Sequence, residues 1–133
     1  MKEKILIVDD NNELRKMLRI ALGYGKYQML EAEDGASALQ MAKERQPDVI
    51  LLDVMMPGEL DGFQVCEKIK NDPALKHAFI VMLTALGGPV DRDEGKRVRA
   101  DYYMTKPFSP LHLIEVIETR QQLLADAARG SAT

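Results

Sequence analysis

The stretch PDVILLDVMMPG, residues 47–58, decides how the rest of the chain is read. Pro47 breaks what precedes it, and Val49, Ile50, Leu51 and Leu52 then run without a polar interruption. A short apolar run bounded by turn residues reads as a strand buried on both faces of a parallel sheet. The run ends in Asp53, a carboxylate set directly before a second apolar patch. Burying a charge is unfavourable, so an acid at the end of such a strand calls for a chemical reason.

Outward from this strand, strand-like and helix-like segments alternate. KILIVD (4–9) predicts a second buried strand. ELRKMLRIALGYG (13–25) places Leu14, Met17, Leu18, Ala21 and Leu22 at helical spacing and closes in glycines, which suit a helix stop. YQMLEAE (27–33) reads as an edge strand, and GASALQMAKERQ (35–46) as an amphipathic helix cut off by Pro47. GFQVCEKIKND (62–72) is a helix closed by Asp72–Pro73. AFIVMLTA (78–85) and DYYMT (101–105) supply the fourth and fifth strands. SPLHLIEVIETRQQLLADAA (109–128) predicts a long final helix with Ser109 as N-cap and Pro110 in its first position.

The 133 residues suit one domain over 1–126, with 127–133 as a disordered tail or the start of a linker. A net charge of −3 without a Lys/Arg-rich run gives no reason to expect direct nucleic-acid binding. No apolar run is long enough to span a bilayer, and no signal peptide precedes the first strand, so neither a membrane nor export is expected. The lone Cys66 excludes an internal disulfide, fits a cytoplasmic setting and reads as a buried structural thiol. His77 and His112 have no ligand spacing and read as surface residues.

Parallel strands need crossover connections, and the right-handed crossover leaves few topologies. One is the flavodoxin-like order 2-1-3-4-5, in which ligands bind outside the carboxyl ends of the strands. Asp53 stands at such an end. So do Asp9 and Asp10 after strand one, Thr84 closing strand four, and Lys106 after strand five. Crowded acids repel unless they share a cation, and a set of hard oxygens suits Mg²⁺. With lysine and hydroxyl beside it, this crevice suits a phosphoryl group, and Asp53 becomes a nucleophile that forms an aspartyl-phosphate.

ILIVDD, DVILLDVMMP, IVMLTA and YYMTKPF, in that order, resemble the receiver domain of two-component response regulators over about residues 3–122. The resemblance implies a doubly wound five-stranded parallel sheet of order 2-1-3-4-5. It implies a phosphorylation-activated signalling switch, not a stand-alone enzyme, whose partner is a sensor histidine kinase or a histidine phosphotransfer domain. Asp53 is then the phosphoacceptor. Asp9 and Asp10 become the acidic pair around Mg²⁺, Asp10 as direct ligand and Asp9 mainly through water, with the Met55 backbone carbonyl as a further ligand. Thr84 becomes the switch hydroxyl, Tyr103 the aromatic switch residue and Lys106 the phosphate-pairing lysine. The Lys106–Pro107 peptide is expected cis. The positions two beyond the phosphoacceptor and the switch hydroxyl, Met55 and Leu86, would govern water access and imply slow loss of the phosphoryl group. Phosphorelay, a dimer and a downstream output domain are all compatible with this pattern.

Two departures stand out. MPGELDG holds one residue more between Pro57 and Asp61 than the family usually shows. Residues 86–99, LGGPVDRDEGKRVR, carry three glycines and a proline, with Val90 and Val98 as the apolar anchors, so a weak or short fourth helix is expected. Arg99 stands where a closing glycine is usual. The competing readings are a flavodoxin-like ligand-binding module and an aspartate-nucleophile phosphatase. DDNNEL lacks the phosphate-cradling small residues of the first, and Met55 replaces the second acid of the other.

Overall fold

Five parallel strands alternate with five helices in one sheet ordered β2-β1-β3-β4-β5. The structure, a computed structural model, describes residues 2–23, 26–85, 89–120, 122 and 125, with 89–92 described by their backbone. The elements are β1 (Glu3–Val8), α1 (Asn12–Gly23), β2 (Tyr27–Ala32), α2 (Gly35–Arg45), β3 (Val49–Asp53), α3 (Gly62–Lys70), β4 (Phe79–Thr84), α4 (Pro89–Arg97), β5 (Tyr102–Thr105) and α5 (Pro110–Glu118). The order is the expected one, and β2 forms an edge.

Alternation along β1 divides the core into two layers. Leu6 and Val8 face α2 and α3 with Ala38, Ala42, Val65 and Ile69; Ile5 and Ile7 face α1 and α5 with Leu18, Leu22, Leu113 and Ile117. Every residue of β3 and β4 is buried, as continuous apolar strands with helices on both faces require. Each fully buried leucine, isoleucine or valine contributes about 1.5–3 kcal/mol, so the central strands anchor the fold.

Local chemistry fixes the connections. Asp61 and Gln64 form a reciprocal capping box at the start of α3, each bond 2.9 Å long. The next residue, Gly62, packs against the end of β3. A Cβ there would fall 2.3 Å from the Asp53 carbonyl oxygen, so no side chain fits. Within the 57–61 loop Gly58 adopts φ +97°, a backbone geometry that suits glycine. The segment predicted to be a weak or short helix forms α4, nine residues long, like α3 and α5. It ends in a Schellman arrangement, Arg99 N–H to Lys96 O and Ala100 N–H to Gly95 O, both 3.0 Å. Arg99 adopts φ 66°, the left-handed geometry that the missing glycine would take. Val98 is buried as an anchor.

Two expectations change. On α1 the buried stripe is Arg15, Leu18 and Leu22, while Met17 and Ala21 face outward. The single helix over 109–128 is interrupted. α5 ends at Glu118 with Thr119 as its cap, and the Thr119 hydroxyl donates to the Glu115 carbonyl at 2.7 Å, a back-bond that disturbs a helix. Arg120, Gln122 and Ala125 beyond it are again helical. The tail at 127–133 lies outside the described residues.

A partly buried ion pair joins the far end of α3 to the start of β5. Lys70 Nζ donates to Asp101 Oδ2 at 2.7 Å and to the carbonyls of Ala78 at 2.8 Å and Lys76 at 3.2 Å. Asp101 Oδ2 also accepts the Ile80 N–H at 2.8 Å, so one oxygen ties α3 to β4.

Candidate functional site

The parallel register sets the strand ends level: Val8 pairs with Leu52, Leu52 with Met82, Asp53 with Leu83, and Thr84 with Thr105. The residue after β1, the last of β3, the last of β4 and the residue after β5 therefore meet at one edge. They are Asp9, Asp53, Thr84 and Lys106.

Asp9 and Asp53 are almost fully buried, Thr84 is wholly buried, and Asp10 is exposed at the mouth. One carboxylate oxygen each from Asp9, Asp10 and Asp53 lies within 4.8 Å of the others. Lys106 Nζ closes the cluster, 2.9 Å from Asp9 Oδ2 and 3.4 Å from Asp53 Oδ1. The Lys106 N–H donates to the Thr84 carbonyl at 2.6 Å, which ties the lysine to the end of β4. The Lys106–Pro107 peptide is cis, as expected.

Burial and the neighbouring Asp9 charge raise the pKa of Asp53 above the ordinary carboxylate range, against the pull of Lys106. Burial alone would lower the Lys106 pKa, but its hydrogen bond to Asp9 and the charges of Asp53 and Asp9 outweigh it, and the ammonium is strengthened. Two buried acids and one half-buried lysine thus share a crevice rich in oxygen donors. Such a donor set fits a small hard cation such as Mg²⁺.

The neighbouring turns are held by the acids themselves. Asp9 Oδ1 accepts the Asn11 N–H at 2.9 Å, and Asn11 Oδ1 accepts the N–H groups of Glu13 and Leu14 at 3.0 and 3.1 Å. Asn11 thus caps α1. Asp53 Oδ1 accepts the Met55 N–H at 3.3 Å. The Met55 side chain is 62 % exposed at the mouth, while Met82 is core and Met56 packs on the core from its edge. Leu86 lies outside the described residues. Tyr103 is half-buried on β5, its ring against Gly95 of α4 and the core layer of α2 and α3. Cys66 is buried with Sγ 3.4 Å from the Val98 carbonyl, and burial pushes its thiol up to about 12. His112 meets Tyr102, Nε2 to the hydroxyl at 3.4 Å, and takes no part in the acidic cluster.

Sequence reading missed Arg15 and Gly62. Arg15 donates to the Asp9 carbonyl, and Gly62 lets α3 touch the Asp53 backbone. A signal for Arg15 existed: an arginine in register with Leu18 and Leu22, with Glu31 and Glu33 near the end of the adjacent strand.

A doubly wound sheet with acids from two strands and a lysine from a third at its carboxyl edge defines a class, and the sequence agrees. The chain belongs to the response regulator receiver domain family, whose model it matches over residues 5–118. It is 46% identical over 112 residues to the probable transcriptional regulator ycf27 of Guillardia theta, covering 84% of this chain and 42% of that protein. It is 42% identical over 131 residues to the response regulator PleD of Caulobacter vibrioides, covering 97% of this chain and 29% of that one. The chain thus spans less than half the length of these curated relatives. Among solved structures, the chemotaxis protein CheY4 of Vibrio cholerae superposes with a TM-score of 0.82 at 34% identity, over 89% of this chain and 98% of that one. Among the described residues, no helix is long and apolar enough to cross a membrane.

Proposed function

We propose that this receiver domain is a phosphorylation-dependent signalling switch whose acceptor is Asp53. The supporting observation is the bridge of Lys106 Nζ between Asp9 and Asp53, with Asp10 within ligand reach, at a single sheet edge. The donor is a phosphohistidine of a sensor kinase or a histidine phosphotransfer domain. An Asp53 carboxylate oxygen attacks the phosphorus, the O–P bond forms as the N–P bond breaks, and the leaving imidazole nitrogen takes up a proton from solvent. Lys106 pairs with the incoming phosphoryl oxygens, and the Thr84 hydroxyl donates to one of them. Asp9, Asp10, Asp53 and the Met55 carbonyl would hold Mg²⁺, Asp9 mainly through water. Bound there, it supplies positive charge that offsets the charge of the transferring group. Transfer draws Thr84 and the segment after β4 toward the phosphoryl group and biases the seat of Tyr103, a shift between pre-existing states.

The test uses a small acyl phosphate as donor with Mg²⁺ and reads intact mass. Wild type gains one phosphate. Asp53→Asn does not, and stoichiometric gain by that variant overturns the assignment.

A further inference from the structure

Arg15 is 7% exposed on the inward stripe of α1, yet its charge has no part in the transfer described above. Its guanidinium is held from two sides. Toward the site, Nη1 donates to the backbone carbonyl of Asp9 and Nη2 to Asn12 Oδ1. Away from it, Nε donates to Glu31 Oε1 at 2.9 Å, and Nη2 reaches Glu33 Oε1 at 3.3 Å. Glu31 belongs to β2, pairs in register with Ile7, and also meets Arg19. One planar group therefore spans from the edge strand to the peptide that joins Asp9 to Asp10. The orientation of that peptide sets the direction in which both acidic side chains leave the backbone.

We propose that Arg15 is a positioning residue of the acidic site: it holds the Asp9–Asp10 peptide and thereby sets the affinity for a divalent cation. The inference rests on the reading of Asp9, Asp10 and Asp53 as a cation site. Charge and position make opposite demands here. A fixed positive charge beside a cation site repels the cation, so an arginine acting only through charge weakens binding, and its removal tightens it. An arginine acting through position does the reverse. Outer partners that orient ligands typically change metal affinity by about 10–100-fold when removed. A lysine keeps the charge but not the fork, so it does not replace the arginine.

The experiment titrates Mn²⁺ alone into the whole chain, with free Mn²⁺ read by electron paramagnetic resonance, for wild type, Arg15→Gln, Arg15→Lys and Asp10→Asn. Metal-free melts accompany each. Arg15→Gln is expected to bind about tenfold more weakly. Arg15→Lys, which keeps a cation for Glu31 and so protects the fold, is expected to remain roughly threefold or more below wild type. Affinity within about twofold of wild type, or tighter, in the folded arginine variants overturns the proposal while Asp10→Asn is impaired. If wild type takes up no Mn²⁺, or Asp10→Asn binds as wild type does, the cation-site reading falls and this inference with it.

Discussion

Gly95 lies against the ring of Tyr103 so closely that a Cβ on the glycine would stand 3.1 Å from Tyr103 Cδ2 and 3.4 Å from Cε2. The ring is seated on bare helix backbone. Alanine at position 95 adds about 1 kcal/mol of helix propensity but must displace the ring by a few tenths of an ångström. Gly95→Ala is therefore expected to leave the melting midpoint within a few degrees while shifting the ¹³C resonances of the Tyr103 ring. Tyr27, on the opposite edge of the sheet, serves as control. Unchanged Tyr103 resonances would show that the contact does not seat the ring.

Asp10 is the exposed member of the acidic cluster, so its removal leaves no cavity. Without metal it contributes repulsion toward Asp9 and Asp53, worth up to about 1 kcal/mol at an exposed position. Asp10→Ala is expected to melt no lower than wild type in chelator. Added Mg²⁺ then raises the midpoint of wild type alone, because only a site that binds in the native state stabilises it. Equal stabilisation of both proteins contradicts the metal assignment.

The thiol of Cys66 is pushed up by burial to about 12 from an ordinary 9.0. Between those values the folded state keeps the proton that the unfolded chain releases. Stability is therefore lost as pH rises above about 9, by about 1.4 kcal/mol per pH unit once the unfolded thiol is ionised. Lysines and tyrosines titrate in the same range, so the readout is a difference. The stability gap between wild type and Cys66→Ala, from urea midpoints, should narrow from pH 8 to pH 10.5. A constant gap would sink this account.

Met55 offers no hydrogen bond to a water approaching the acceptor, and it stands 62% exposed at the mouth. We expect slow loss of the phosphoryl group from Asp53 in Mg²⁺ buffer. Met55→Asn should speed the decay by roughly threefold or more, short of the ~100-fold of a full general base. Equal decay rates would show that this side chain does not govern water.

The site was legible where chemistry and strand pattern coincide. Leu51, Leu52 and Asp53 announce a buried strand ending in a charge, and the same holds for Val8 and Asp9. Arg15 escaped because an arginine among helical leucines reads as a solvated face. Only the fold brings Glu31 and the Asp9 carbonyl to its two sides. Gly62 escaped because its requirement is tertiary, the approach of the Asp53 backbone. On α1, Met17 and Ala21 fit the helical period as well as Leu18 and Leu22 do, and only packing separates inward from outward. The interruption at Thr119, where the hydroxyl bonds back to Glu115, is a local feature that periodicity does not encode.

The bond between Lys106 and Asp9 joins residues 97 positions apart. β1 and β3 can pair and bring Asp9 beside Asp53 long before the polypeptide reaches β5, and at that stage the acids face each other without their lysine. Closing a loop of that length costs more chain entropy than closing a short one. During synthesis the three acids of the edge emerge before Lys106, so the anionic notch is complete in sequence before its cationic clasp is available.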